Sequence, residues 1–146
     1  MKSDYSFPVL IFLTIILDRI TKIISLNYFV SPVQIIPGIF QLALTINSGA
    51  AFSLLRGNNS LLVILSTGVI VLIAYSYTKS PKTIFTQAGF GLILGGAIGN
   101  IIDRLVYNGV VDFLDFMSFP VFNLADSAIS IGVVILIYHF LTEKKK

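Results

Sequence analysis

Long apolar runs separated by short polar connections set the pattern of this chain. Four segments, roughly residues 7–28, 60–78, 83–105 and 122–141, each approach the ~20 residues that a helix needs to cross a bilayer. The pattern therefore predicts four transmembrane helices. Residues 7–17 also resemble the apolar core of a signal peptide, but no small-residue cleavage site follows, so we interpret the run as a retained first helix.

The segment 29–59 has a different period. Alternate positions of IFQLALTIN are apolar, which places Phe40, Leu42, Leu44 and Ile46 on one face of an extended strand. Turn residues flank it, Pro37-Gly38 before and Gly57-Asn58 after. We predict a small amphipathic β-sheet on the outer membrane surface, its apolar face toward lipid or substrate. An ordinary loop packed on the helices is the alternative, and we interpret the segment 106–121 as a second outer loop.

Composition supports a membrane location. Of the 146 residues, 55% are hydrophobic and only 12% are charged, and the mean hydropathy is +0.92. A soluble core of this size could not bury so much apolar surface, whereas lipid is itself an apolar solvent. The fold class we predict is an all-α integral membrane protein, a single domain over residues 1–146 with a small extracytoplasmic β-sheet.

The basic residues predict the orientation. Lys2, the KSPK connection (Lys79 and Lys82) and the C-terminal EKKK fall on one side of a four-span protein, and that side should be cytoplasmic. The opposite side receives 29–59, with Arg56 as its one basic residue, and 106–121, which holds Asp112 and Asp115 and no basic residue. Both termini are therefore predicted to be cytoplasmic. Topology accounts for the net charge of +3, so no nucleic-acid partner is required.

The residue types that are rare or missing in this chain limit the catalytic chemistry that it can perform. The chain has no cysteine and a single histidine, His139. A thiol nucleophile and a disulfide framework are thus excluded, and a paired-histidine metal site or a Ser-His pair is disfavoured. We predict neither a metal nor a cofactor, and we expect His139 to be an interfacial residue.

The polar residues of the predicted spans gather toward one side. By the topology above, nine lie in or near the outer leaflet: Asp18, Lys22, Asn47, Asn100, Asp103, Arg104, Asp112, Asn123 and Asp126. A transporter would be expected to place its ionisable groups near the midplane, on a route to both faces. A shallow polar pocket open to one side instead suits chemistry on a molecule that arrives within the outer leaflet.

Two carboxylates are the remaining candidates for that chemistry. Asp112 is on the outer loop and Asp126 is one turn into the fourth helix, so they could face each other at the membrane surface. Two carboxylates in a desolvated site tend to share one proton, which is the basis of aspartic-peptidase chemistry and needs no metal. The alternatives stay open: Asp126 as a helix cap, and Asp112, like Asp115, as a solvated loop acid.

Other polar and small residues have structural interpretations. Asp18 and Lys22 are spaced for an i, i+4 ion pair, with Lys22 able to snorkel outward, and Asp103 beside Arg104 is expected to form a second ion pair. Glycines at 91, 95 and 99 repeat every four residues, a spacing that favours close helix packing.

Five blocks resemble, in order, the signature blocks of the bacterial lipoprotein signal peptidase family, also called signal peptidase II. They are DRITK (18–22), NSGAAFS (47–53), GGAIGNIIDR (95–104), VVDFLDF (110–116) and FNLADS (122–127). The resemblance implies an intramembrane aspartic endopeptidase of the bacterial inner membrane with its active site at the extracytoplasmic face. Such an enzyme removes the signal peptide of a prolipoprotein by cutting just before a cysteine that carries a diacylglyceryl group.

The resemblance also implies roles for individual residues. Asp112 and Asp126 would form the catalytic dyad. Supporting contacts to substrate or inhibitor would come from Asn47, Gly49, Asn100, Arg104 and Asn123. Fold stability or activity would depend on Asp18, Lys22 and Asp103. The expected partners are the lipid-modified substrate, membrane lipid and globomycin-type lipopeptide inhibitors, and we expect a monomer without cofactors.

Two other classes compete with the peptidase. A small four-helix exporter or channel subunit would use Asp18 as its coupling residue, and a scaffold protein would need neither Asp112 nor Asp126 for any activity. Neither class needs an acid at position 112, so this residue favours the peptidase.

Overall fold

Four long helices and a three-stranded sheet make up the described part of the chain, residues 5–49 and 57–143 of a computed structural model. The helices are α1 (Ser6–Tyr28), α2 (Asn59–Lys79), α3 (Ile84–Tyr107) and α4 (Leu124–Glu143). The strands are β1 (Val33–Ile36), β2 (Phe40–Asn47) and β3 (Val110–Asp115). The protein is thus mostly helical with a small sheet, as predicted. Residues 50–53 of the NSGAAFS block, Arg56, Lys2 and the last three lysines, all used above, lie outside the described residues.

Helix α3 is the centre of the bundle. It contacts α1, α2 and α4, and α4 packs against it most extensively. Glycines allow this approach, because a β-carbon at Gly95 would lie 2.7 Å from Thr14, and one at Gly96 would lie 2.5 Å from the carbonyl oxygen of Ala125. The predicted role of the glycine repeat in close packing is confirmed.

Three of the helices, α2, α3 and α4, are long and apolar enough to cross a membrane. Helix α1 has 23 residues but carries three charged side chains in adjacent turns, Asp18, Arg19 and Lys22. A charged side chain facing lipid is costly, so these groups must be paired inside the bundle for α1 to span. The fourth span stays a prediction.

The sheet is antiparallel, in the order β1-β2-β3. The β1–β2 hairpin turns at Pro37-Gly38, where Gly38 has a φ of +73°, a conformation that favours glycine. The predicted amphipathic sheet in 29–59 is therefore present in its described part, and exposed apolar side chains include Ile35, Ile36 and Ile39. Its placement against the membrane stays a prediction.

The interpretation of 106–121 as a loop was wrong. Residues 110–115 form β3, which pairs with β2 so that Asp112 lies opposite Thr45 and Val110 lies opposite Asn47. Strand β3 is mostly buried, and Val111 has no exposed surface. The sheet therefore brings an acid from the second outer segment beside an asparagine from the first.

Candidate active site

Strand β3 positions Asp112. Its carboxylate is only 2% exposed, and both of its oxygens accept hydrogen bonds from asparagine amides. Asn123 Nδ2 donates to Oδ1 at 2.7 Å, and Asn47 Nδ2 donates to Oδ2 at 3.1 Å. Asp112 is consequently a fixed strand residue, and its interpretation as a solvated loop acid was wrong.

The first turn of α4 positions Asp126. Asn123 precedes the helix, and its Oδ1 accepts the backbone N–H of Asp126 at 2.9 Å. In return the Asp126 Oδ2 atom accepts the backbone N–H of Asn123 at 3.3 Å. This reciprocal pattern is a capping box, so the expected capping role of Asp126 is real. The cap uses only the Oδ2 atom of Asp126. The other oxygen, Oδ1, accepts from Asn100 Nδ2 at 2.8 Å.

One cavity of about 550 Å³ contains both carboxylates. Six predicted site residues line it: Asn47, Gly49, Asn100, Arg104, Asp112 and Asp126. The seventh, Asn123, is fully buried behind the two acids and hydrogen-bonds to both. The apolar part of the lining includes Phe119, Pro120, Val121, Phe122 and Ile131. The structure thus brings together seven residues from β2, α3, β3 and α4 with the loops beside them.

The electrostatics of the cavity favour a proton on Asp112. Burial, and then the nearby charge of Asp126, raise the pKa of this carboxyl from 3.8 to about 7. The hydrogen bonds from Asn47 and Asn123 oppose that rise, because they stabilise the ionised form. Near neutral pH the cavity can therefore hold one carboxylic acid beside one carboxylate, a pair able to act as acid and base at once.

Arg104 connects to the site through Gly49. Its Nη2 donates to the Gly49 carbonyl oxygen at 2.9 Å, and the Gly49 N–H donates to Asn47 Oδ1 at 3.0 Å. Arg104 thereby holds the end of β2 over the cavity. The expected ion pair between Asp103 and Arg104 was wrong, since the ion pairs found for Asp103 join it to Arg19 and Lys22.

A buried ion cluster lies behind the cavity. Lys22 Nζ is 2.8 Å from Asp18 Oδ2 and 2.7 Å from Asp103 Oδ2, while Arg19 pairs with Asp18 and Asp103. The Asp18–Lys22 pair is confirmed, but snorkelling was wrong because Lys22 has no exposed surface. The second acid paired with Lys22, Asp103, lies on α3, so residue spacing along α1 could not predict it.

The cluster also holds the backbone beside each cavity acid. Asp18 Oδ1 accepts the N–H of Ala125 at 3.1 Å, next to Asp126 in the chain. Asp103 Oδ2 accepts the N–H of Val111 at 3.1 Å, next to Asp112. Asp18 and Asp103 do not line the cavity, yet each fixes a neighbour of one cavity acid.

The structure also describes the surroundings of His139 and Asp115. His139 is 5% exposed and lies with Nε2 at 3.3 Å from Thr83 Oγ1, so it is buried against the start of α3, and its position at the membrane interface stays a prediction. Asp115 is half-buried at the end of β3, where it accepts from Gln41 Nε2 at 2.7 Å and from the N–H of Met117 at 3.0 Å. Its carboxylate is bonded to the neighbouring strand and does not line the cavity.

Sequence reasoning left two features unassigned. Arg19 was quoted within DRITK without a role, although its place beside Asp18 could have suggested a second cation for the cluster. The aromatic wall at 119–122 was also missed. Phe119 packs edge-on against Phe122, with ring centroids 5.8 Å apart, and aromatic residues in an outer segment were the available indication.

No candidate metal site is found in residues 5–49 and 57–143, because no three side chains of His, Cys, Asp or Glu come together there in a suitable arrangement. The cavity acids are instead surrounded by amide donors. Carboxyl groups held in this way can polarise water and protonate a carbonyl oxygen.

Comparisons with known proteins give a consistent result. The family described as Signal peptidase (SPase) II matches residues 10–142. The lipoprotein signal peptidase of Nostoc punctiforme is 48% identical over 136 residues, covering 90% of this chain and 86% of that protein. That of Caldicellulosiruptor bescii is 42% identical over 136 residues, covering 92% of this chain and 90% of the relative.

A solved structure has the same fold. It is a bacterial membrane enzyme determined by the in meso method at 2.3 Å resolution, with a TM-score of 0.88 and 29% identity, covering 99% of this chain and 92% of that one. A second such structure, at 1.9 Å resolution, has a TM-score of 0.84 and 30% identity, covering 97% and 95%. This chain therefore belongs to the signal peptidase II family of peptidases, and it is a bacterial membrane protein.

Proposed function

We propose that this chain is an intramembrane aspartic endopeptidase that removes the signal peptide of diacylglyceryl-modified prolipoproteins, cutting before the lipidated cysteine. One observation carries the proposal: Asp112 and Asp126 line a single cavity, bridged by Asn123, which hydrogen-bonds to both. The names of the relatives, lipoprotein signal peptidases, support the substrate class.

The pair supplies a complete acid–base cycle. The ionised carboxylate takes a proton from a water molecule, and the oxygen of that water forms a bond to the carbonyl carbon of the scissile peptide. The protonated carboxyl gives its proton to the carbonyl oxygen, which leaves a neutral tetrahedral intermediate. When this intermediate collapses, the C–N bond breaks, the leaving nitrogen takes a proton from the carboxyl that accepted one, and a hydroxyl of the intermediate returns its proton to the other carboxylate. Water is consumed, and the dyad returns with one proton.

Neighbouring residues support the steps by holding the acids and the substrate. The amide groups of Asn47, Asn100 and Asn123 fix the carboxylates, so the pair needs little reorganisation when charge moves. Arg104 lines the cavity and has further N–H groups beyond the one bonded to Gly49, which suits carbonyl oxygens of a bound peptide.

The membrane setting explains the choice of substrate. We place both termini in the cytoplasm and the cavity at the extracytoplasmic face, with α1 as the fourth span. A diacylglyceryl cysteine keeps its acyl chains in the outer leaflet, so its peptide bond is held near the membrane surface. The exposed apolar residues of the β1–β2 hairpin then rest on lipid beside the entering signal peptide. A globomycin-type lipopeptide would inhibit by occupying the same cavity, and one chain supplies the whole site as a monomer.

The test is cleavage of a purified diacylglyceryl prolipoprotein in detergent micelles. Asp112→Asn and Asp126→Asn should each lower kcat by several orders of magnitude, on the order of 10³-fold or more. Asp115→Asn is the matched control, since this acid lies three residues along the same strand and faces Gln41, and it should cleave at close to the wild-type rate. Cleavage by either dyad variant at the wild-type rate would overturn the proposal and revive the scaffold or exporter alternatives.

A further inference from the structure

Lys22 contacts one cavity residue, Asn100, without lining the cavity itself. Its ammonium group has no exposed surface and three partners, Asp18 Oδ2 at 2.8 Å, Asp103 Oδ2 at 2.7 Å and Asn100 Oδ1 at 3.0 Å. Two carboxylates already compensate its charge within the ion cluster. The third contact, to a neutral amide, is not needed for charge balance and connects the cluster to the dyad.

The third contact settles which way the Asn100 amide points. An ammonium group can only donate, so the Asn100 atom that faces Lys22 must be the oxygen. The amide nitrogen is then on the other side, where it donates to Asp126 Oδ1 at 2.8 Å. Because the Asn100 nitrogen can only donate, Asp126 Oδ1 must accept this hydrogen bond. The proton shared by the two acids therefore cannot lie between Asp126 Oδ1 and Asn100.

The other two asparagines are oriented in the same manner by backbone donors. Asn47 Oδ1 accepts the N–H of Gly49, and Asn123 Oδ1 accepts the N–H of Asp126. Each of these amides is thereby forced to direct its nitrogen at Asp112. Of the three orienting groups, only the Lys22 ammonium is a side chain and can be removed by substitution.

We propose that Lys22 is a positioning residue for the dyad, whose ammonium group fixes the Asn100 amide so that an N–H is directed at Asp126. This role rests on the proposed peptidase function and adds a specific mechanism to it. Asn123 Nδ2 also approaches Asn100 Oδ1, at 3.2 Å, but that nitrogen already donates to Asp112 at 2.7 Å and lies 3.3 Å from the Val111 carbonyl oxygen. It is therefore a weak substitute for Lys22.

Loss of the cation should change the protonation of the dyad. The charged groups facing Lys22 are Asp18 on its own helix and Asp103 on α3, which Arg19 also contacts, while Arg104 faces the dyad from α3. Without the ammonium, Asn100 is free to turn its oxygen toward Asp126, an arrangement that is stable only when that carboxyl carries a proton on Oδ1. The protonated dyad is then favoured, so the active form with one proton requires a higher pH.

The experiment is the pH profile of kcat and KM for Lys22→Met, from about pH 5 to about pH 9, with diacylglyceryl prolipoprotein in micelles. We expect the whole bell-shaped profile to move to higher pH by about one unit, so that kcat falls roughly tenfold on the acid side and recovers on the alkaline side. KM should stay within about threefold of wild type, because Lys22 does not touch the cavity. In an Asn100→Ala background, Lys22→Met should produce a much smaller shift, the part that comes from the charge of Lys22 acting directly on the pKa of Asp112.

Other outcomes overturn the proposal. A profile that is lowered uniformly without moving, or a KM that rises in step, would make Lys22 a structural residue only. The same shift in the Asn100→Ala background would show that the charge of Lys22 acts on the dyad directly and not through Asn100, which also overturns the proposal. Should Lys22→Met fail to fold, Asp18→Asn/Lys22→Met keeps the net charge of the cluster and is compared with Asp18→Asn under the same criteria. The peptidase proposal is judged separately, by cleavage with wild type and Asp112→Asn.

Discussion

Gly99 lies against the carboxylate of Asp18 so closely that a β-carbon at position 99 would come within 2.6 Å of Oδ2. Asp18 cannot move aside freely, because it is bonded to Lys22 and to the N–H of Ala125. Gly99→Ala should therefore destabilise the protein by about 1–3 kcal/mol and lower cleavage as well, since Ala125 precedes a dyad residue. Thermal unfolding in detergent and the cleavage rate are the measurements.

Gly68→Ala is the control for this substitution. Gly68 is also inside a helix, but a β-carbon there meets nothing within 4 Å. Alanine is the better helix former by up to about 1 kcal/mol, so this variant should be as stable as wild type or slightly more stable. Equal effects of the two substitutions would show that contact with Asp18 is not the cause.

The raised pKa of Asp112 predicts the alkaline side of the activity profile. On the proposed mechanism this carboxyl supplies the proton to the carbonyl oxygen, and above its pKa of about 7 that proton is lost. The cleavage rate should then fall about tenfold for each further pH unit. A kcat that stays constant up to about pH 9 would contradict this assignment.

Substitution of Asn47 should shift the pKa of Asp112 and with it the alkaline limb of the activity profile. Its amide donates to the Asp112 carboxylate and lowers the pKa of this group, so Asn47→Ala should raise the pKa and shift the alkaline limb to higher pH. The matched control is Asn27→Ala, because the exposed Asn27 amide donates to the carbonyl oxygen of Ile23 within α1. Profiles of kcat against pH for both variants make the comparison, and an alkaline limb shifted to lower pH by Asn47→Ala would refute the prediction.

The same pKa makes stability depend on pH. The folded state holds the Asp112 proton more tightly than the unfolded chain, so the contribution of this group to stability is greatest at low pH. That contribution is lost as pH rises from about 4, near the ordinary value of 3.8, to about 7. Asp112→Asn removes this dependence. The Tm of the variant should therefore rise relative to that of wild type as pH increases from about 4 to about 7. A Tm difference that stays constant from pH 4 to pH 7 would count against a raised pKa.

The helices could be predicted closely because their cause is local. Four apolar runs of about bilayer length were sufficient to identify them, and α2 (Asn59–Lys79) differs from the predicted 60–78 by one residue at each end. The capping interpretation of Asp126 succeeded for the same reason, since Asn123 is three residues away.

Features that depend on distant residues could not be predicted. Strand β3 has a short apolar sequence and is a strand because β2, on the other side of two helices, pairs with it. The burial of Lys22 depends on Asp103, which lies on another helix. The orientations of the three asparagines depend on partners from several elements, so only the folded chain reveals them.

The pairing of β2 with β3 also determines when the enzyme can become active. Asp112 meets Asn47 across a sequence separation of 65 residues, with α2 and α3 between them. A chain that has emerged only as far as α3 has neither member of the dyad, and one that has added β3 still lacks Asp126. On the proposed mechanism, cleavage therefore becomes possible only after α4, the last helix, has been added to the paired strands.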